Sequence, residues 1–223
     1  PAPCRSQAIG VRRMEKFVQL SAKACPLPFS NLNTDQILPA RYLKWPRSKG
    51  LGTVLFQDLR FDADGNQKKD FPLNQLLWQS AKILVAGRNF GGGSSREAAV
   101  YALYDYGFRC VIAPSFGDIF AQNAVKNGLV TAVVSDADVA DMAAAVSSNP
   151  ERPVTIDLDR RTIVCGDRTY AFEIDPVSRN QLLNGWDDVD LTESYRDQIV
   201  RFSIEHRARQ PWAVPARAGT QVS

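Results

Sequence analysis

The sequence predicts an α/β fold: a parallel βαβ core, then short strands and a C-terminal helix. Two observations lead there. Between residues 82 and 146, short apolar runs alternate with helical stretches of about 10–14 residues, the rhythm of crossover units in a parallel sheet. After Asn149-Pro150 that rhythm gives way to brief strands separated by turn residues. A chain of 223 residues is long enough to bury roughly 70% of its unfolded surface, which suffices for one large domain.

The first thirteen residues contain no acidic residue and differ in composition from the rest of the chain, whereas Met14-Glu15-Lys16-Phe17 reads as a natural start. Residues 1–13 lack the apolar stretch of a secretory signal. They are read as a disordered extension, the stub of a transit peptide or a cloning remnant, outside the fold. Phe17–Ala24 is the first expected strand. Pro26, Pro28 and the polar run Ser30–Asp35 mark a loop. Residues 45–70, rich in Gly, Lys and Asp, read as a mobile segment with a turn at Asp64-Gly65-Asn66.

Ile83–Ala86 is a short buried strand, Gly87–Gly93 a glycine-rich turn, and Ser94 to Tyr106 a helix. The strand Cys110–Ala113 comes next. Ser115 and Asp118 have the spacing of a capping box at the start of a second helix. Leu129–Val134 is a third strand, and Ser135 with Asp138 caps a third helix through the alanine-rich stretch 139–146. Val154–Leu158 and Thr162–Cys165 form a hairpin around Asp159-Arg160-Arg161, with a further strand at Tyr170–Glu173. A long amphipathic helix spans Leu191–Arg209, and the tail from Pro211 is frayed. Residues 14–210 therefore make one domain, and 211–223 a flexible tail.

Composition excludes several functions. Apolar residues are 44% and charged residues 23%, the balance of a soluble globular enzyme. The net charge of +3 is dispersed, so no stripe for nucleic acid is expected. No apolar run approaches the roughly 20 residues that span a bilayer. Cys4, Cys25, Cys110 and Cys165 are far apart with no C-x-x-C pair, so this chain is not expected to bind a metal or an iron–sulfur cluster. Cys110 lies in an apolar run and reads as a buried, inert thiol. The pattern suits a reducing compartment without disulfides, and a cytoplasmic location. His206, the single histidine, sits in a charged helix. It is a poor candidate for the base of a Ser-His-Asp or Cys-His hydrolase.

The most informative stretch is Gly87–Glu97, GRNFGGGSSRE. Consecutive glycines between a strand and a helix expose backbone N–H groups, and the positive helix end favours an anion. Arg96 adds a fork that can grip a carboxylate at two points. A nucleotide is less suited: Gly93 stands where a P-loop needs lysine, and Arg96 where a Rossmann turn needs its third glycine. Ser94 and Glu97 also satisfy S-x-x-E, so Ser94 could equally be a helix cap. A cap requires neither the second serine nor the arginine, and that favours the anion cradle.

Gly91-x-Gly93-Ser94-Ser95-Arg96-Glu97 resembles the G-x-G-S-S-R-E signature of the aconitase swivelling domain. Asn33–Leu43 resembles the N-x-D-T-D-Q-I-x-P-A-R-x-L segment of isopropylmalate dehydratase small subunits, with the spacing shifted by one residue at its start. Tyr106–Arg109 with Ile112–Phe120 resembles their Y-G-F-R…I-A-P-S-F-A-D-I-F. Lys126–Leu129 and Leu182–Thr192 also match, so the resemblance spans about residues 14–212. It implies a swivelling β/β/α domain and a hydro-lyase that interconverts 2- and 3-isopropylmalate through isopropylmaleate in leucine biosynthesis.

The resemblance also implies a partner, a large subunit carrying a 4Fe-4S cluster, with no cofactor bound by this chain and a small dicarboxylate as substrate. Ser94 would be the catalytic base as its alkoxide. Asp35 would orient or proton-couple a group of the large subunit. Ser95, Arg96, Gly93, Thr34, Arg41 and Lys44 would contact substrate, and Trp45 could line an apolar pocket. Three positions depart from the pattern: Gly92 replaces a cysteine, Ala98 a histidine and Thr131 a proline. They leave open another alkylmalate or a citraconate-like diacid as substrate, or a non-catalytic partner of the large subunit.

Overall fold

Lys23 divides the expected first strand into two strands that join different sheets. β1 (Gln19–Ala22) and β2 (Ala24–Leu27) flank Lys23, whose carbonyl accepts the N–H groups of Lys82 and Ile83 at 3.1 and 3.3 Å. The computed structural model describes residues 14–210 and 212. The expected extension 1–13 and all of the expected tail except Trp212 lie outside the described residues.

After β2, Thr34–Ile37 forms one helical turn, α1, rather than continuous loop. Asn33 caps it by accepting the N–H of Gln36, while Gln36 reaches back to the N–H of Asn33. Residues 45–70 are likewise better ordered than expected. Leu51, Val54, Leu55 and Phe56 are buried, and α2 (Gln57–Arg60) follows. Gly52 packs so closely on residues 105 and 106 that a Cβ there would sit 2.5 Å from the Tyr106 nitrogen. The glycines and lysines punctuate the segment, but its apolar side chains anchor it.

β3 (Ile83–Ala86), β4 (Cys110–Ala113) and β5 (Val130–Val133) complete a parallel sheet of order β2-β3-β4-β5. β3 and β4 are buried at every position, as strands covered on both faces must be. α3 (Glu97–Tyr106), α4 (Asp118–Lys126) and α5 (Asp136–Ser148) connect these strands and lead out of the sheet, and α5 packs across β2, β3 and β4. Pro26 is accommodated because β2 is an edge strand.

Two helix starts differ from expectation. α3 begins at Glu97, with Arg96 as N-cap and no side-chain cap. α4 begins at Asp118 behind Gly117, because the Ser115 hydroxyl accepts the Asn89 N–H at 2.9 Å instead of capping the helix. The cap at Ser135 forms as expected, accepting the Asp138 N–H at 3.1 Å. Ser135→Ala should therefore lower stability by about 1 kcal/mol, read as a shift in the urea midpoint at constant slope.

β6 (Val154–Asp157), β7 (Thr162–Cys165) and β8 (Arg168–Ala171) pair antiparallel in the order β1-β6-β7-β8, with the expected hairpin between β6 and β7. β8 ends at Ala171 because Glu173 leaves to bridge Val133, through reciprocal bonds of 3.0 and 2.8 Å. α6 (Pro176–Asn184) is a helix beyond those expected. Asp175 caps it, proline opens it and Gly185 closes it in the left-handed region.

The chain divides into two units, one ending at Trp186 and the other beginning at Asp187. In the second, the single amphipathic helix expected over Leu191–Arg209 is two helices, α7 (Asp188–Ser194) and α8 (Arg196–Arg209), and neither buries a residue. Apolar positions are scattered around α8 rather than gathered on one face: Val200, Phe202 and Ile204 are all more than half exposed. No helix among the described residues is long and apolar enough to cross a membrane.

Candidate active site

The turn from β3 into α3 is shaped residue by residue. Asn89 has φ +55° and Asn31, opposite it, φ +58°, a region that asparagine tolerates better than most side chains. Their amides bond each other, Asn89 Nδ2 donating to Asn31 Oδ1 at 3.0 Å. Phe90 turns inward, fully buried, against Phe116 and Phe120. Gly91 then has φ +72°, and a Cβ there would sit only 2.2 Å from Phe120 Cγ. Gly93 has φ +91°, and a Cβ there would make only an ordinary contact with the Asn33 Cβ at 3.6 Å. Gly92 has no such requirement. A Cβ would meet only the end of the Asn89 side chain, 2.9 Å from Oδ1, so the cysteine expected there could be housed by a small shift of Asn89.

The segment before α1 is strapped across this turn. The Gly91 N–H donates to the Leu32 carbonyl at 2.7 Å, and the Thr34 N–H donates to the Gly92 carbonyl at 3.0 Å. The Thr34 hydroxyl, in a residue only 2% exposed, donates to the Ser94 carbonyl at 2.9 Å. Arg96 Nη1 donates to Asp35 Oδ1. The Arg96 side chain is 18% exposed and that of Asp35 51%, so the guanidinium is tucked in and the carboxylate faces out. Thr34, Asp35, Gly93, Ser94 and Arg96 thus meet in one place, although some sixty residues separate the two segments.

Ser94 and Ser95 are both exposed on the turn. Ser94 is not a helix cap, since α3 starts three residues later. Nor does Glu97 reach back to it: its carboxylate takes a hydrogen bond from Asn127 Nδ2 at 3.0 Å. Among the described residues, Arg41 and Lys44 are not bonded to the turn. The Arg41 guanidinium forks onto Asp58 and lies over the Tyr42 ring at 4.8 Å, which holds the Asp58 carboxyl below the usual carboxylate range. Lys44 is exposed. Trp45 is half-buried, edge-on to Tyr42 at 4.9 Å, with the Lys49 ammonium 5.2 Å from its ring centre.

Asn31, Asn89 and Ser115 form a polar frame that sequence reasoning missed. Only the presence of asparagine in these two loops hinted at left-handed backbone. Cys25, Cys110 and Cys165 are buried thiols; burial pushes Cys25 up to about 12 and raises the other two. Among the described residues no group of three or more His, Cys, Asp or Glu side chains is placed to hold a metal ion.

Residues 14–137 match the family model of the aconitase C-terminal domain, and residues 140–176 match that described as LeuD_N. The chain is 46% identical over 202 residues to a 3-isopropylmalate dehydratase small subunit of Rhodospirillum centenum, spanning 90% of this chain and 100% of the relative. A Sinorhizobium fredii protein of the same name is 46% identical over 201 residues, with the same two coverages. The solved structure of 3-isopropylmalate dehydratase from Methanocaldococcus jannaschii superposes with a TM-score of 0.59 at 27% identity, over 83% of this chain and 99% of that one. With the strand–turn–helix cradle and the Ser-Ser-Arg sequence in place, these likenesses lead to one assignment: the chain belongs to the 3-isopropylmalate dehydratase small-subunit family of the aconitase superfamily.

Proposed function

We propose that this chain is the catalytic small subunit of a cytoplasmic, heteromeric hydro-lyase that interconverts 2- and 3-isopropylmalate through isopropylmaleate, a step of leucine biosynthesis. The observation that supports it most is the late start of α3. It leaves the Ser94 hydroxyl exposed and free of capping, on a turn whose shape is held by Thr34 and the glycines. The names of the relatives supply the substrate.

Ser94 Oγ, as an alkoxide, takes the proton from C3 of 2-isopropylmalate while the hydroxyl leaves C2. Returning that proton to C2 as hydroxide adds at C3 completes the isomerisation. A serine hydroxyl is a poor base in water, so its ionised form needs donors that do not reorganise. The N–H groups of the turn around Gly93, with the Arg96 guanidinium nearby, fill that role. Ser95 and Arg96 hold a substrate carboxylate, assisted by Thr34. Asp35, half exposed beside Arg96, steers the guanidinium and faces a group on the large subunit. Arg41 and Lys44 contact substrate from the neighbouring loop, and Trp45 offers an apolar wall to the isopropyl group. An iron–sulfur cluster held by the large subunit would supply Lewis acidity at the departing hydroxyl.

The test is anaerobic mixing of this chain with its large subunit, tracking the absorbance of the unsaturated diacid. Isopropylmalate should turn over in the mixture and in neither component alone. A complex that forms but acts only on citraconate would replace the substrate. One silent on every diacid would overturn the catalytic reading, with Gly92 and Ala98 as the first suspects.

A further inference from the structure

Many arginines of this protein are ion-paired. Arg41, Arg47, Arg88, Arg152, Arg168 and Arg179 each face an aspartate. At the amino ends of the parallel strands, opposite to the catalytic turn, three cations without an ion pair among the described residues converge on one cavity. Lys82 and Arg109 immediately precede β3 and β4, and the register Ile83↔Cys110 sets them side by side. The Arg109 N–H donates to the Lys82 carbonyl at 2.8 Å, which fixes their backbones together. Lys16 joins them from the segment before β1, where the Phe17 N–H is fastened to the Leu182 carbonyl at 2.9 Å. The three cations line one cavity of about 250 Å³, together with Glu15, Gln19 and Tyr104.

Among the described residues none of these three cations makes an ion pair. Arg109 is also held ready. Its guanidinium carbon lies 3.7 Å from the centre of the Tyr104 ring, and Nη1 donates to the carbonyls of Tyr104 and Phe108 at 3.0 and 2.8 Å. The Nε–Nη2 edge is left for another acceptor. Three cations face a single carboxylate, Glu15, in this lining, so the cavity keeps an excess of positive charge that favours an anion.

The structure assigns this cavity as a binding site for a small polyvalent oxyanion of the phosphate type, separate from the catalytic cradle. Phosphate suits the donor set: lysine binds it as a point charge, and an arginine edge binds two of its oxygens. A volume of about 250 Å³ is enough for a diphosphate. α3 links the two sites in the fold, carrying Arg96 at its start and Tyr104 in its last turn. The assignment does not depend on the reaction proposed above.

Calorimetric titration of the 223-residue chain with inorganic pyrophosphate, at about 50 mM salt so that screening is modest, tests it. One saturable site is expected. Lys16→Gln/Lys82→Gln should weaken it by about tenfold or more, since two charge-assisted contacts are lost. Arg201→Gln/Arg207→Gln, an equal change of charge on α8, should leave it intact, and melting curves should show both variants folded. Absence of saturable binding by the wild type would overturn the assignment. So would unchanged binding by Lys16→Gln/Lys82→Gln. Loss of binding only in Arg96→Gln would overturn it as well and move the anion to the catalytic turn.

Discussion

Ser94→Ala should lower kcat of the assembled enzyme by about 10²–10⁴-fold, the range expected when a general base is removed. The same change should leave stability within about 0.5 kcal/mol and affinity for the large subunit unchanged. The separation is sharp because of how Ser94 is held. Its carbonyl, not its hydroxyl, accepts the Thr34 bond, and its side chain caps no helix. Alanine keeps every bond that shapes the turn and deletes one exposed oxygen. Steady-state turnover with excess large subunit, a urea titration and a binding isotherm measure the three quantities separately. A variant that keeps wild-type turnover would leave the chain as a scaffold for its partner. A variant that unfolds would mean that the hydroxyl holds the turn together rather than serving the reaction.

Gly91→Ala should be among the most damaging single-methyl additions in the fold, costing roughly 3 kcal/mol. Two penalties combine. The backbone at φ +72° disfavours any L side chain, and the new methyl meets the Phe120 ring, which cannot retreat because Phe90 and Phe116 pack against it. Gly92→Ala, one residue on, should cost less than about 1 kcal/mol, because only the Asn89 amide must shift. Denaturant midpoints of the two variants at equal slope make the comparison. Equal midpoints would refute the claim that the glycines of this turn have different duties.

The parallel core was legible because β3, β4 and β5 are short apolar runs with helical spacing between them, and that pattern depends only on local burial. The cradle was legible from its glycines and its Ser-Ser-Arg sequence. S-x-x-E alone reads the same for a cap and for a free hydroxyl at Ser94, and only the second serine and Arg96 favoured the free hydroxyl. The structure separates the two by starting α3 at Glu97, and Thr34 pins the Ser94 carbonyl from sixty residues away, a contact that no local pattern reports. Residues 45–70 mislead for a related reason: their polar punctuation is plain in sequence, while the burial of Leu55 and Phe56 depends on elements distant in the chain. Arg41 adds a pairing that the sequence does not announce: its guanidinium donates to Asp58, a contact the chain makes only once folded.

The strap laid by residues 32–34 across the glycine turn has a consequence for the timing and fragility of activity. The two halves of the cradle are bonded to each other, so the geometry proposed for Ser94 forms only after distant parts of the chain have closed on each other. Local opening of that one strap would silence the enzyme while helices and sheets stayed intact. On refolding, chiral signals of secondary structure should return before turnover does. Hydrogen exchange at the Thr34 and Gly91 amides would then report competence more faithfully than any measure of global order.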